Sequence, residues 1–308
     1  MQIYLPVADL PLNIFLLLGM GLAVGFISGM FGIGGGFLMT PLLIFVGVPP
    51  AVSVASVASH IAASSFSGAI SYWRKRALDT SLALMLLVGG FVGTAAGVAL
   101  FTVLRALDQL DLMIGLSYVT LLTIVGGVMI YEGIRAVLRD RRGLPPVIRR
   151  PGSHLWVHGL PLKMRFKRSK IYVSVIPVWG IGFIIGFVGA IMGIGGGFLL
   201  VPMLIYLLRV PTATVIGTSM VLTLVTMASA TVLHATTNHL VDAVLAFILM
   251  VGGVTGAQFG ARTGQKMRGE RLRLLLGVLV LAVGLRFAVQ LVVEPEDLYS
   301  ILVVEARR

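Results

Sequence analysis

The stretch Gly32-Ile33-Gly34-Gly35-Gly36-Phe37 lies inside a long apolar run, and Gly193-Ile194-Gly195-Gly196-Gly197-Phe198 repeats it residue for residue. A proline follows four positions after each phenylalanine, at Pro41 and Pro202. Each glycine costs a helix interior roughly 1 kcal/mol against alanine. In lipid, the backbone groups that a broken helix frees must find partners within the protein. A chain carrying this cluster twice must therefore bury two helix breaks in protein or line a cavity with them.

The surroundings place the breaks in a membrane. Of 308 residues, 57% are hydrophobic and 12% charged, against about 25% charged in soluble domains. The mean hydropathy is +1.01. Ten apolar segments are expected, at about 11–31, 33–48, 51–72, 79–104, 112–134, 171–192, 194–208, 211–233, 241–261 and 274–293. The first lacks a basic leader and runs straight into the first glycine cluster, so it reads as a retained helix, not a cleaved signal. The fold class expected is an all-α integral membrane protein built from two inverted repeats of about five segments, with short Gly-broken helices. The units are an N-terminal repeat at 11–134, a basic cytoplasmic loop at 135–170, a C-terminal repeat at 171–293 and a short tail at 294–308.

The duplication extends beyond the glycines. Residues 21–44 align with 182–205 with thirteen of 24 positions identical, too many for a chance run of glycines. At an offset of 163, Asp79, Gly89, Gly90, Gly93 and Gly97 match Asp242, Gly252, Gly253, Gly256 and Gly260. The net charge of +12 sits in loops, where it reports orientation and not nucleic-acid binding. Arg74–Arg76, the eleven basic residues between Arg135 and Lys170, and Arg262–Arg273 all fall on one side if each half crosses five times. An odd count per half inverts one repeat relative to the other. Segments 33–48 and 194–208 are short for a ~30 Å core and could span tilted or be re-entrant.

The doubled G-x-G-G-G-F-x-x-x-P motif, with its two apolar halves joined by a basic loop, resembles the sulfite exporter TauE/SafE family. The resemblance covers about 11–293 and is most specific at Gly32–Pro41 and Gly193–Pro202. It implies a multi-pass plasma-membrane transporter that moves a small anion, sulfite or an organosulfonate.

The residues support an anion independently. Consecutive backbone N–H groups at a helix break make an anion-binding concavity, and a half-helix N-terminus adds the positive end of its dipole. On this reading helices begin at Gly36 and Gly197. The candidate substrate-binding residues are Gly34, Gly35, Gly36, Gly195, Gly196, Gly197, Ser56, His60, Thr218 and Ser219. The alternative for the glycines is close packing, and for His60 a neutral ring bonded to a carbonyl. Ser64 and Ser65 are further hydroxyls in the same segment. No Asp or Glu lies mid-segment, where cation pathways place carboxylates. Asp79 and Asp242 read as helix N-caps. Arg286 could pair with an anion or Gln258, or snorkel to the interface. His234 and His239 read as solvated loop residues.

No cofactor or metal is expected, and the chain has no cysteine to ligate one. The expected function is transport, probable export, by alternating access around the paired breaks. An anion channel remains open. A membrane-embedded enzyme would need a nucleophile, acid-pair or metal motif that the chain does not show. The expected partners are a small anionic substrate and the lipid bilayer, with a homo-oligomer left open.

Overall fold

A computed structural model describes residues 2–31, 34–74, 78–141, 161–166, 168–169, 171–208, 212–264 and 269–292. The described residues are 81% helical. The helices are α1 (Ile14–Phe31), α2 (Gly36–Phe45), α3 (Pro50–Arg74), α4 (Thr80–Ala106), α5 (Leu110–Arg141), α6 (Val175–Met192), α7 (Gly197–Tyr206), α8 (Thr212–Leu233), α9 (Ala243–Gly264) and α10 (Gly269–Val292). A single π-helical turn, His234–Asn238, extends α8. Six helices are long and apolar enough to cross a membrane, and the protein is an integral membrane protein. The stretch 142–160, which holds part of the basic loop, lies outside the described residues, as do Gly32, Ile33 and the tail beyond 292.

Two short antiparallel hairpins were not expected. Strand β1 (Gln2–Leu5) pairs with β2 (Leu10–Asn13), and β3 (Lys163–Phe166) pairs with β4 (Ile171–Ser174). The bounds of the two hairpins differ by 161 throughout, the offset of the glycine motifs. Each hairpin is tied to a helix start by one of the two matched aspartates. Asp79 caps α4 by accepting from the Leu82 N–H at 3.2 Å. Its other oxygen accepts from the Ser169 N–H and hydroxyl at 2.9 and 2.8 Å. Asp242 accepts from the Val244 and Leu245 N–H groups with one oxygen and from the Val7 and Ala8 N–H groups with the other. The capping role read from sequence is half of what these buried carboxylates do.

Packing between helices is exchanged between the halves. Helix α1 packs along α9, and α4 along α6. Small residues allow this, as expected where apolar lipid gives no hydrophobic drive for helix pairing. A Cβ on Gly25 would lie 2.3 Å from the carbonyl oxygen of Gly253, and one on Gly29 would lie 2.1 Å from that of Ala257. In the matching seam, a Cβ on Gly93 would lie 2.1 Å from the Phe183 oxygen, and one on Gly186 would lie 2.1 Å from the Gly90 oxygen. In both seams the contacting numbers rise together, so each pair runs parallel. Helices α5 and α10 pair instead with each other, Leu122 against Gly284, Gly126 against Leu281 and Gly133 against Leu274. There one number rises as the other falls, so these two run antiparallel.

Helices α3 and α8 pack together at the centre. Helix α3 carries seven serines and a histidine, yet Val52–Ile61 is buried without interruption. Its hydroxyls are partly satisfied locally: Ser59 donates to the Ser56 carbonyl and Ser64 to that of Ile61.

Candidate substrate site at the paired helix breaks

The two breaks form because glycine alone tolerates the backbone they require. Gly34 and Gly35 have φ of +90° and +61°, the left-handed region that penalises a Cβ. The Gly36 N–H donates to the Gly34 carbonyl at 2.7 Å, closing a tight turn, and α2 starts there. In the second break Gly193 and Gly195 have φ of +64° and +71°. Gly193 caps the end of α6, its N–H donating to the Gly189 carbonyl at 2.9 Å. Helix α7 starts at Gly197. Both starts are where the sequence motif places them. Each of α2 and α7 has 10 residues, about 15 Å at the helical rise, so half a bilayer core.

The fold brings the breaks together. A Cβ on Gly36 would lie 2.5 Å from the Gly193 oxygen and 2.6 Å from that of Ile194. The Thr40 hydroxyl donates to the Gly193 carbonyl at 3.3 Å, and the Tyr118 hydroxyl to that of Met192 at 2.7 Å. These two bonds satisfy carbonyls left open where α6 ends. Phe37 stacks on Phe198 with centroids 4.6 Å apart and planes 14° apart, each residue meeting its own counterpart in the repeat. Ile61 of α3 sits between the breaks: its methyls are the nearest side-chain atoms to Cβ positions built on Gly36 and Gly195.

Two buried hydroxyls at this centre have no hydrogen-bond partner, Ser65 Oγ and Thr223 Oγ1. A Cβ on Gly34 would lie 3.9 Å from the first, and one on Gly196 would lie 3.8 Å from the second. Unpaired buried hydroxyls are uncommon and carry a desolvation penalty of about 1–3 kcal/mol each. Beside the break, a cavity of about 500 Å³ opens between α1, α3, α8 and α9. Ser28 lines it, and the same serine packs against Gly35. Ser28 thus stands between the cavity and the first break.

Of the remaining candidates, Ser56, Ser219 and His60 have other partners. The Ser56 hydroxyl accepts from the Asp242 N–H at 2.9 Å, which holds α3 to the start of α9. Ser219 donates to the Ile216 carbonyl at 2.8 Å. Thr218 Oγ1 is buried without a partner. His60 is fully buried, with Nδ1 bonded to the Leu249 carbonyl at 2.7 Å and its ring against Gly253. It faces α9, about 100° around α3 from its neighbour Ile61. Its Nε2 has no partner. That Nδ1 bond fixes the neutral tautomer with the proton on Nδ1.

One expectation changes. His234 is not solvated: it is buried, 3.1 Å from the Ala190 carbonyl through Nε2 and edge-on to Phe101. It opens the π turn His234–Asn238 with its side chain inside, while His239 is exposed as expected. Arg286 lies over the ring of Phe45 at 5.3 Å, a cation–π contact. Thr223 escaped the sequence reading altogether. At an offset of 162 it is the counterpart of Ile61, but only a contact could show both residues at the breaks.

A profile of the sulfite exporter TauE/SafE family matches residues 17–287. The chain belongs to this family. A probable membrane transporter protein of Xylella fastidiosa is 30% identical over 281 residues, covering 89% of this chain and 94% of that one. The probable membrane transporter protein YjnA of Bacillus subtilis is 27% identical over 270 residues, covering 87% and 96%. A shorter match, 38% over 78 residues, is to sulfite exporter TauE/SafE family protein 2 of Arabidopsis thaliana, covering 25% of this chain and 17% of that one. No solved structure matches. The TauE/SafE assignment spans both breaks and all ten helices in part or whole, and makes the chain a membrane transporter. Among the described residues no cluster of His, Cys, Asp or Glu could hold a metal ion.

Proposed function

We propose that the protein carries a small anion of the sulfite or organosulfonate class across the plasma membrane, by alternating access around the two glycine breaks. The observation that carries this reading is the meeting of the breaks beside unpaired, buried Ser65 and Thr223 hydroxyls. Helix N-termini suit an anion and disfavour a cation, and the hydroxyls can donate to the anion. The glycine amides remain candidates for direct contact once Ile61 moves from between them.

Two inverted halves of five segments complete the proposal, with Arg74, the 135–170 loop and Arg262 in the cytoplasm. The antiparallel packing of α5 on α10 supports it. Five segments per half reverse each helix relative to its counterpart, so α5 and α10 should oppose each other. Four per half would make them parallel. Inverted halves exchange inward- and outward-facing shapes by swapping the conformations of two similar sequences.

The test is flux into proteoliposomes containing the purified protein, with sulfite, ethanesulfonate, sulfate, acetate, sodium and potassium as probes. Saturable counterflow of sulfite or ethanesulfonate is expected, without cation flux. Sodium or potassium flux without anion flux would overturn the reading, and non-saturating anion flux would replace the carrier by a channel.

A further inference from the structure

The cavity beside the first break differs in chemistry from what the repeat would place at the opposite end of the molecule. Arg74, in the last turn of α3, and Arg262, in the last turn of α9, line it together with Gln258, Ser67 and Met220. No carboxylate lines it among the described residues. The internal repeat supplies a control. At the 163 offset that aligns α4 with α9, Gln258 and Arg262 correspond to Ala95 and Ala99; at the 162 offset that pairs Ile61 with Thr223 on α3 and α8, Arg74 corresponds to Thr236. Two arginines and a glutamine at one end are replaced by a threonine and two alanines at the other.

Orientation signalling alone does not explain the set. Loop arginines report the cytoplasmic side wherever they fall. Gln258 carries no charge and contributes nothing to that signal, yet it lies one turn before Arg262 and lines the same cavity. The volume also argues. A bare four-atom oxyanion occupies roughly two or three water volumes, about 60–90 Å³. The cavity holds about 500 Å³ and has apolar wall at Met220 and Ile70.

We infer that this cavity is a one-sided capture site for a small organic anion, an oxyanion head on a short apolar body. Arg74 and Arg262 hold the head, the Gln258 amide and Ser67 hydroxyl orient it, and Met220 receives the body. The inference rests on the transport reading above and adds to it a sidedness of affinity. The Arg74/Arg262 face binds anion tightly; the opposite face, with no charged residue at the matching positions 95, 99 and 236, binds it weakly and releases it.

The experiment measures apparent KM from each face, using full-length protein in proteoliposomes of known orientation, with sulfite and the C2 to C4 alkanesulfonates as probes. The KM is expected to be at least tenfold lower from the Arg74/Arg262 face and to rise with salt as screening grows. Each added methylene should lower it about threefold. Arg74→Gln and Arg262→Gln should each raise it about tenfold, the low end for a charge-assisted bond at a wet site, with the other face unchanged. Arg74→Lys and Arg262→Lys keep the charge and should lose less. Equal KM from both faces in the wild-type protein overturns the inference without any variant. So does an unchanged KM in the folded double glutamine variant. Loss of all anion flux in the wild type would instead strike the transport proposal, so the two failures are distinguishable.

Discussion

The two breaks share seven consecutive residues, and among the described ones the backbone parts ways at one glycine. Gly34 and Gly195 are both left-handed, at φ +90° and +71°, but Gly35 is left-handed at +61° while its counterpart Gly196 is right-handed at −53°. The preceding helix accounts for the difference. Gly35 faces Val24 and Ser28 of α1. Gly196 faces Ile185 of α6, the counterpart of Val24, and the counterpart of Ser28 is Gly189. A longer side chain at one position and a missing one a turn later reshape the space in which the same glycines settle. Identical motifs are thus permissive, and the helix before each one selects among the conformations glycine allows.

Alanine substitution breaks this comparison most sharply at Gly36 and Gly196. At Gly36 the new methyl would meet two backbone oxygens of the other break, which cannot withdraw. Gly36→Ala should cost about 3 kcal/mol or more and leave little monodisperse protein on size exclusion, with or without Ile61→Val. At Gly196 the closest atom is a single methyl of Ile185. Gly196→Ala should be milder, and Ile185→Leu, which removes that branch, should restore the melting temperature. Wild-type stability in Gly36→Ala would mean that the breaks do not meet as described.

A smaller effect is expected at Gly35. Gly35→Ala forces a Cβ into the left-handed region, about 1–2 kcal/mol, and brings it 2.9 Å from Cβ of Ser28. Adding Ser28→Gly copies the second break into the first and should recover part of the loss in a thermal melt. No recovery would detach the backbone difference from the preceding helix.

The smallest stability effect falls on the hydroxyls. Ser65→Ala and Thr223→Val remove unpaired buried groups, so folding should be unaffected or up to about 1 kcal/mol better. Anion flux per folded molecule should nonetheless drop about tenfold in Thr223→Val, which sits between both breaks. Unchanged flux in both variants would remove these hydroxyls from the pathway.

Much of the architecture was legible because it is periodic or repeated. Each of the ten apolar segments contains or overlaps one of the ten helices, α5 running seven residues past its segment, and the starts at Gly36 and Gly197 follow from the glycine run alone. Asp79 and Asp242 announced themselves as caps by their position before apolar runs. Their second bonds were hidden, because they reach Ser169 and Val7, some ninety and more than two hundred residues away. Thr223 and Ser65 look like any hydroxyl on an apolar helix until burial and the absence of a partner single them out. His234 followed the same rule in reverse: its polar neighbours Thr236 and Thr237 read as a loop, while its ring, at the start of a π turn, lies inside.

The exchanged seams have a consequence for how the chain is made. Gly25 waits for Gly253, which leaves the ribosome 228 residues later. At cellular synthesis rates that is roughly ten seconds or more. During that interval α1 sits in the bilayer with its small-residue stripe facing lipid, while α4 finds α6 much sooner. The seam made last closes the first helix into the molecule, so a nascent chain stopped before α9 holds its N-terminal helix without the neighbour it was built to meet.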